Sequence, residues 1–240
     1  MPRRILISGA ASGLGFQFLR SYSEDPSNHI IAIDKQPLPP AASRRGNIEY
    51  LETDITSDFA IRRLRSHLGE TSLDLVIHSA GVRGLVPRVE DENPDDVAAC
   101  ETLQVMNADT LTRTFETNAV GTFSLVRCLL PNLKLSSDAK VIIMSSRMGS
   151  ISQNTTGSAY AYRASKAALN AIIKSFSIDE PDIVFILCHP GRVETNLVKC
   201  KEEGAMSVNQ SVSGMIPWIE RWNKSDSGKF FDRSGESIKW

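Results

Sequence analysis

The chain has 240 residues, 41% of them hydrophobic and 23% charged, with 27 Lys and Arg against 28 Asp and Glu and a net charge of −1. That composition excludes a disordered chain, a collagen-like fibre and a small disulfide scaffold, and the length suffices for one domain with a sizeable core. The near-neutral balance excludes the broad electropositive surface that neutralises nucleic-acid phosphates. Cys100, Cys128, Cys188 and Cys200 are irregularly spaced, with no C-x-x-C pair and no histidine cluster, so free thiols and no metal site are expected. No apolar run approaches the roughly 20 residues that span a bilayer. Met1-Pro2-Arg3-Arg4 precedes too few apolar residues for a secretory signal. A cytoplasmic protein without membrane or nucleic-acid partners is expected.

In chain order, Ile5-Leu6-Ile7 predicts a strand that runs into a glycine cluster, followed by a helix ending near Pro26. His29 to Ile33 reads as a second strand, stopped by Asp34 and the prolines at 37, 39 and 40. Ile48 to Leu51 is a short third strand. Ser57 to Leu68 has helical periodicity through Phe59, Ile61, Leu64 and Leu68. Leu73 to Ile77, Val141 to Met144 and Ile183 to Cys188 predict three further strands. Short apolar, β-branched strands separated by helices predict an α/β fold, a doubly wound Rossmann-like parallel sheet with helices on both faces, in a single domain over residues 1–240. Arg83 to Asn107 departs from the minimal pattern: it is long and acidic, and reads as a solvated loop with a short helix starting near Pro94, or as a docking or gating segment.

Between the first strand and first helix lies Ser8-Gly9-Ala10-Ala11-Ser12-Gly13-Leu14-Gly15. Glycines there permit a tight turn and close backbone approach to a pyrophosphate, which the helix N-terminus attracts. Gly9, Ser12, Gly13, Leu14 and Gly15 are therefore candidate dinucleotide contacts. Asp34 lies 19 positions after Gly15, at the end of the second strand, where a carboxylate accepts hydrogen bonds from the adenosine ribose hydroxyls and repels a 2′-phosphate. It favours NAD. Lys35, Arg44 and Arg45 soften that repulsion and keep NADP open.

Tyr162 and Lys166 are four residues apart on one predicted helix, so their side chains share a face. A free phenol, with a pKa near 10, is a poor base at neutral pH; a neighbouring ammonium stabilises the phenolate and makes proton exchange with an alcohol or carbonyl oxygen feasible. Tyr160 lacks such a partner, because Ala164 lies four residues on.

The ordered set Gly9-x-x-x-Gly13-x-Gly15, Asn118 within Thr117-Asn118-Ala119, Ser145-Ser146, Tyr162-x-x-x-Lys166 and Pro190-Gly191-x-Val193-x-Thr195 resembles the compact branch of the short-chain dehydrogenase/reductases over essentially the whole chain. The run from Ala161 to Asn170 and the ending Phe230-Phe231-Asp232-x-x-Gly235 are similar to the C-factor and sniffer-like carbonyl reductase subgroup. The resemblance implies an NAD(P)-dependent oxidoreductase acting on a small-molecule secondary alcohol or carbonyl compound. Tyr162 would be the general acid/base and Lys166 would lower its pKa and hold the nicotinamide ribose. Asn118, in a helix irregularity, would tether a relay water. A serine would donate to the substrate oxygen; Ser146 is the choice, with Ser145 and Ser150 open. Ala80, Gly81, Pro190, Gly191, Val193 and Thr195 would flank the cofactor, with Asp54 and Ile55 near the adenine, although Asp54 also reads as a turn residue.

The resemblance further implies a homodimer or homotetramer built on the helices starting at Leu111 and Tyr162, and a substrate lid over residues 197–208, where Ser207-x-x-Gln210 resembles a capping box. The family's Asn-Asn-Ala-Gly is replaced by His78-Ser79-Ala80-Gly81, and His78 reads as a structural histidine that must find its own hydrogen bonds. The alternative function is a cofactor-binding signalling or scaffold protein with little turnover. A methyltransferase would share the glycine loop but leave Tyr162-x-x-x-Lys166 unexplained.

Overall fold

The computed structural model describes residues 3–40, 42, 45–200 and 203–240. Seven parallel strands form one sheet in the order β3-β2-β1-β4-β5-β6-β7. They are β1 (Arg4–Ser8), β2 (His29–Asp34), β3 (Ile48–Glu52), β4 (Leu75–His78), β5 (Lys140–Met144), β6 (Val184–His189) and β7 (Lys229–Asp232). The helices are α1 (Gly13–Tyr22), α2 (Asp58–Leu68), α3 (Pro87–Glu92), α4 (Ala108–Phe115), α5 (Thr122–Leu133), α6 (Tyr160–Asp179) and α7 (Val208–Arg221).

The alternation of side chains along each strand divides the core into two layers. On β1, Leu6 faces a layer formed by Ile61 and Leu64 of α2, Leu125 and Leu129 of α5, and Leu169 and Ile173 of α6. Ile5 and Ile7 face the other, with Phe18 and Leu19 of α1 and Val212, Met215 and Ile219 of α7. Both faces are covered, which explains why these strands carry near-continuous apolar runs. Strand order reverses between β1 and β4, and ligands of such sheets bind outside the carboxyl ends of the strands at that switch point.

Helix ends follow local chemistry. Ser57 caps α2 by accepting from the Ala60 N–H at 3.3 Å, and the Ser207–Gln210 capping box opens α7. Several expectations are corrected. Leu73 is buried but precedes β4, which starts at Leu75; β7 pairs with β6 and was not expected at all. The insertion's helix spans Pro87–Glu92 instead of starting near Pro94, because Pro87 takes the first helical position and Asn93 ends the helix. The helices expected from Leu111 and Tyr162 begin at Ala108 and Tyr160, the former capped by Asn107 accepting from the Thr110 N–H at 2.9 Å. The 83–107 stretch is not wholly solvated either, since Glu101 is buried. Among the described residues all four cysteines are free, no helix is long and apolar enough to cross a membrane, and no cluster of potential metal ligands occurs.

Candidate active site

A cleft of about 680 Å³ opens at the carboxyl ends of the strands. Its first wall is the glycine loop, lined by Gly9, Ser12, Gly13, Leu14 and Gly15. Gly9 has φ +67°, and a Cβ there would lie 2.8 Å from the backbone nitrogen of Ala80. A Cβ on Gly15 would overlap the carbonyl oxygen of Gly9 and stand 2.6 Å from its carbon. Only glycine lets the loop fold back so tightly and present the start of α1 to the cleft.

The second wall follows β2 and β3. Asp34 accepts from the Ala11 N–H at 3.0 Å and the Gln36 N–H at 2.9 Å, which pins its carboxylate beside the glycine loop. Lys35 lines the cleft next to it; Arg44 lies outside the described residues. Asp54 lines the cleft with Ile55, and its carboxylate accepts from the Thr56 N–H at 2.9 Å and hydroxyl at 2.7 Å, hydrogen bonds that hold it below the usual carboxylate range. It therefore serves the turn as well as the cleft.

The third wall gathers the chemistry. Tyr162 and Lys166 lie one turn apart on α6, with the Lys166 ammonium 5.7 Å from the Tyr162 ring centroid. Lys166 is buried, donates to the Met144 carbonyl at 2.9 Å, and burial pulls its pKa down to about 8. Ala80 and Gly81 pass alongside, and a Cβ on Gly81 would lie 3.0 Å from Asn118 Oδ1 and 3.8 Å from Lys166 Nζ. Pro190, Gly191, Val193 and Thr195 close the opposite side. Thr195 Cγ2 is 3.4 Å from where Gly13 would carry a Cβ, so this loop faces the glycine loop directly.

The three serines now separate. Ser145 lines the cleft beside Ser146 but gives its proton to Asn170 Oδ1 at 2.6 Å, and Ser150, off the cleft, donates to the Lys239 carbonyl at 2.5 Å. Ser146 lines the cleft and accepts from the Met148 N–H at 3.2 Å, which leaves its own hydroxyl proton for a ligand. Asn118 occupies a π-helical turn, Glu116–Gly121, as the expected irregularity. Its side chain lies behind the wall: it accepts from the Val82 N–H and donates to the Val82 carbonyl, both at 2.8 Å, and donates to Ser165 at 3.0 Å.

His78 is fully buried between Ser8 Oγ, 2.7 Å from Nδ1, and Thr122 Oγ1, 2.8 Å from Nε2. Thr122 gives its proton to the Asn118 carbonyl, so the network assigns the imidazole proton to Nε2 and leaves Nδ1 to accept from Ser8. Burial, with the nearby Lys166 charge, lowers its pKa to about 3. His189, at the end of β6, is lowered to about 4, chiefly by burial. A histidine held neutral in the folded state contributes stability that is complete above its ordinary pKa of 6.5 and is lost as pH falls from there toward the folded value. Thermal unfolding followed from pH 7.5 down to 4.5 should therefore show a declining midpoint, and His78→Asn, which removes the imidazole but keeps a polar side chain, should flatten the decline. An equally steep decline in that variant would remove His78 as a cause.

His189 escaped the sequence reading, although Pro190-Gly191 marks the strand end beside it. Its Nδ1 and the Ser79 hydroxyl, both from cleft-lining residues, are buried without a hydrogen-bond partner among the described residues. Buried polar atoms on a ligand wall await a polar ligand. These two atoms, the glycine cradle and the Asp34 carboxylate fit a nicotinamide dinucleotide. The segment 197–208 lies partly outside the described residues. Within it, Met206 pairs with Val193, and Lys199 reaches the insertion at Asp91, 2.9 Å away.

The chain matches the family model of the short chain dehydrogenases over residues 3–205. It is 37% identical over 170 residues to the C-signal protein of Myxococcus xanthus, covering 70% of this chain and 93% of that one. The carbonyl reductase Sniffer of D. melanogaster superposes with a TM-score of 0.83 at 26% identity over all of both chains. A short-chain dehydrogenase/reductase from Burkholderia multivorans with bound NADP gives a TM-score of 0.83 at 25% identity, again over all of both chains. Glycine cradle, Tyr162–Lys166 pair, seven-stranded sheet and sequence match agree: this chain is a member of the short-chain dehydrogenase/reductase family, an oxidoreductase.

Proposed function

We propose that this oxidoreductase interconverts a secondary alcohol and a carbonyl compound, with Tyr162 as general acid/base. The observation that carries this reading is the buried Lys166 ammonium beside the Tyr162 ring on the third wall of the cleft. The glycine loop, Asp34 and the 190–195 loop would hold the dinucleotide, which would supply hydride exchange when bound. Everything else belongs to the chain. In oxidation, Tyr162 Oη takes the hydroxyl proton; in reduction, it returns a proton to the developing alkoxide. Lys166 keeps positive charge against the ring and favours the phenolate. Ser146 donates to the substrate oxygen and fixes its orientation. Asn118 braces the 81–83 backbone against α6 through Ser165, and its π-turn is where a water joining Lys166 to solvent would sit.

Asp34 favours NAD in this reading, although the Burkholderia relative holds NADP. Titration by nicotinamide fluorescence should show NADH binding at least tenfold tighter than NADPH, a gap that Asp34→Ala narrows. Tighter NADPH binding by the unaltered protein would overturn the assignment. Exposed Leu111 and Phe115 on α4, Val120 in the π-helical turn and Phe123 on α5 support a homo-oligomer through that face. Substrate choice is assigned to the 197–208 segment and the insertion, which Lys199 links.

Turnover of carbonyls and secondary alcohols, followed by nicotinamide absorbance, tests the function. Likeness to C-signal supports a second reading as a signalling protein. Saturable cofactor binding with no turnover across a broad panel would favour it.

A further inference from the structure

Arg83 has no place in the reaction as derived so far, yet its guanidinium carbon stands 4.8 Å from the Tyr162 ring centroid, closer than the Lys166 nitrogen. Its backbone follows Val82, which Asn118 grips on both sides. Its guanidinium makes a bidentate pair with Glu101, Nε at 3.0 Å and Nη2 at 2.9 Å, while Nη1 contacts Met148 Sδ at 3.1 Å. Both charged side chains are mostly buried, 16% and 10% exposed. A planar fork held on two oxygens is fixed in place, and here it sets the guanidinium over the phenol ring.

Glu101 does more than pair. Its backbone carbonyl accepts from the Ala159 N–H and the Ser158 hydroxyl, both at 2.9 Å. Gly157, Ser158 and Ala159 run consecutively at φ +66°, +57° and +50° into the helix that carries Tyr162. Two non-glycine residues in the left-handed region persist only where the surroundings hold them. One residue of the insertion therefore secures both the cation on the Tyr162 ring and the backbone leading into Tyr162.

We propose that Arg83 is a positioning residue for Tyr162, laid on the phenol ring by Glu101 so that the ring is fixed and its anionic form favoured, and that the acidic insertion exists to hold it there. The consequence for turnover rests on the function proposed above; the effect on the phenol does not. Other ionisable residues described on this part of the cleft include Lys166 on the same helix face, Arg163, turned to oxygens of residues 156–158, Arg147, 3.8 Å from Asp232, His189 on β6 and Arg192. Among the described contacts, Arg83 and Lys166 are the cations over the ring.

The test is a tyrosinate absorbance titration without cofactor or substrate, with the Tyr162→Phe spectrum subtracted to isolate one phenol. Removing the cation destabilises the phenolate, so Arg83→Met should move the Tyr162 step upward by about one pH unit. Glu101→Gln keeps an amide oxygen to hold the guanidinium on the ring while removing the anion that partly neutralises it, and should move the step downward. The double variant should fall between Arg83→Met and the unaltered protein, and Arg83→Lys should restore most of the shift. A purely structural role gives no such order. Since Arg83→Met strands a buried carboxylate and can unfold the chain, the uncharged double variant carries the comparison if it does. A step that stays in place in both folded variants, or moves the same way in Arg83→Met and Glu101→Gln, overturns the proposal. Reduction of phenanthrenequinone by the same proteins is the second arm. If turnover exists, its pH profile should move with the phenol step; a profile that stays fixed would contradict the proposal, whereas absence of turnover in the unaltered protein would count against the proposed function alone.

Discussion

Tyr162→Phe is expected to bind NADH as the unaltered protein does and to lose turnover by roughly 10²–10⁴-fold, the range a positioned general acid/base contributes. The ring is 8% exposed and packed beneath Arg83 and beside Lys166, contacts that phenylalanine preserves. Only the hydroxyl leaves. The glycine loop, the Asp34 carboxylate and the 190–195 loop are untouched, so affinity should hold while kcat collapses. Nicotinamide fluorescence reads the first quantity and absorbance the second. A drop in both together would mean that the phenol serves binding, not proton transfer.

Gly15→Ala should do the opposite, weakening dinucleotide binding by about 100-fold while leaving the Tyr162–Lys166 pair in place. The added methyl would overlap the Gly9 carbonyl, which is backbone and cannot swing aside as a side chain would. Either the start of α1 moves away from β1 or Gly9 moves into Ala80, where the clearance is already spent. Both displacements disrupt the surface offered to a pyrophosphate. Gly69, where an added Cβ would meet no atom within 4 Å, is the natural control outside the cleft; because its φ is +50°, some strain is expected there, but no loss of affinity. Unchanged NADH affinity in Gly15→Ala would show that the cradle is not where the pyrophosphate sits.

Most of this site was legible because its signals are local. The glycine loop, Asp34 at a strand end and the four-residue step from Tyr162 to Lys166 each state their geometry within a short window, and six strands announced themselves as apolar runs. Features made by distant partners were not legible. Glu101 belongs to a stretch read as solvated, and its burial depends on Arg83, 18 residues away, and on Ser158, 57 residues away. The helix in that stretch was misplaced by taking Pro94 for its start, although Pro87 offered the same signal. β7 has only four residues, with Phe230 and Phe231 adjacent, so no alternation revealed it. Spacing left Ser145 and Ser150 open beside Ser146, because it does not reveal that Asn170 accepts the Ser145 proton and the Lys239 carbonyl that of Ser150.

The pH dependence of secondary-alcohol oxidation, recorded beside the tyrosinate titration of the same protein, tests Tyr162 as general base most directly. The rate should rise with the midpoint of the Tyr162 absorbance step, and Tyr162→Phe should lack both the step and the rate. Oxidation by Tyr162→Phe at the unaltered rate and with the same pH profile would contradict it.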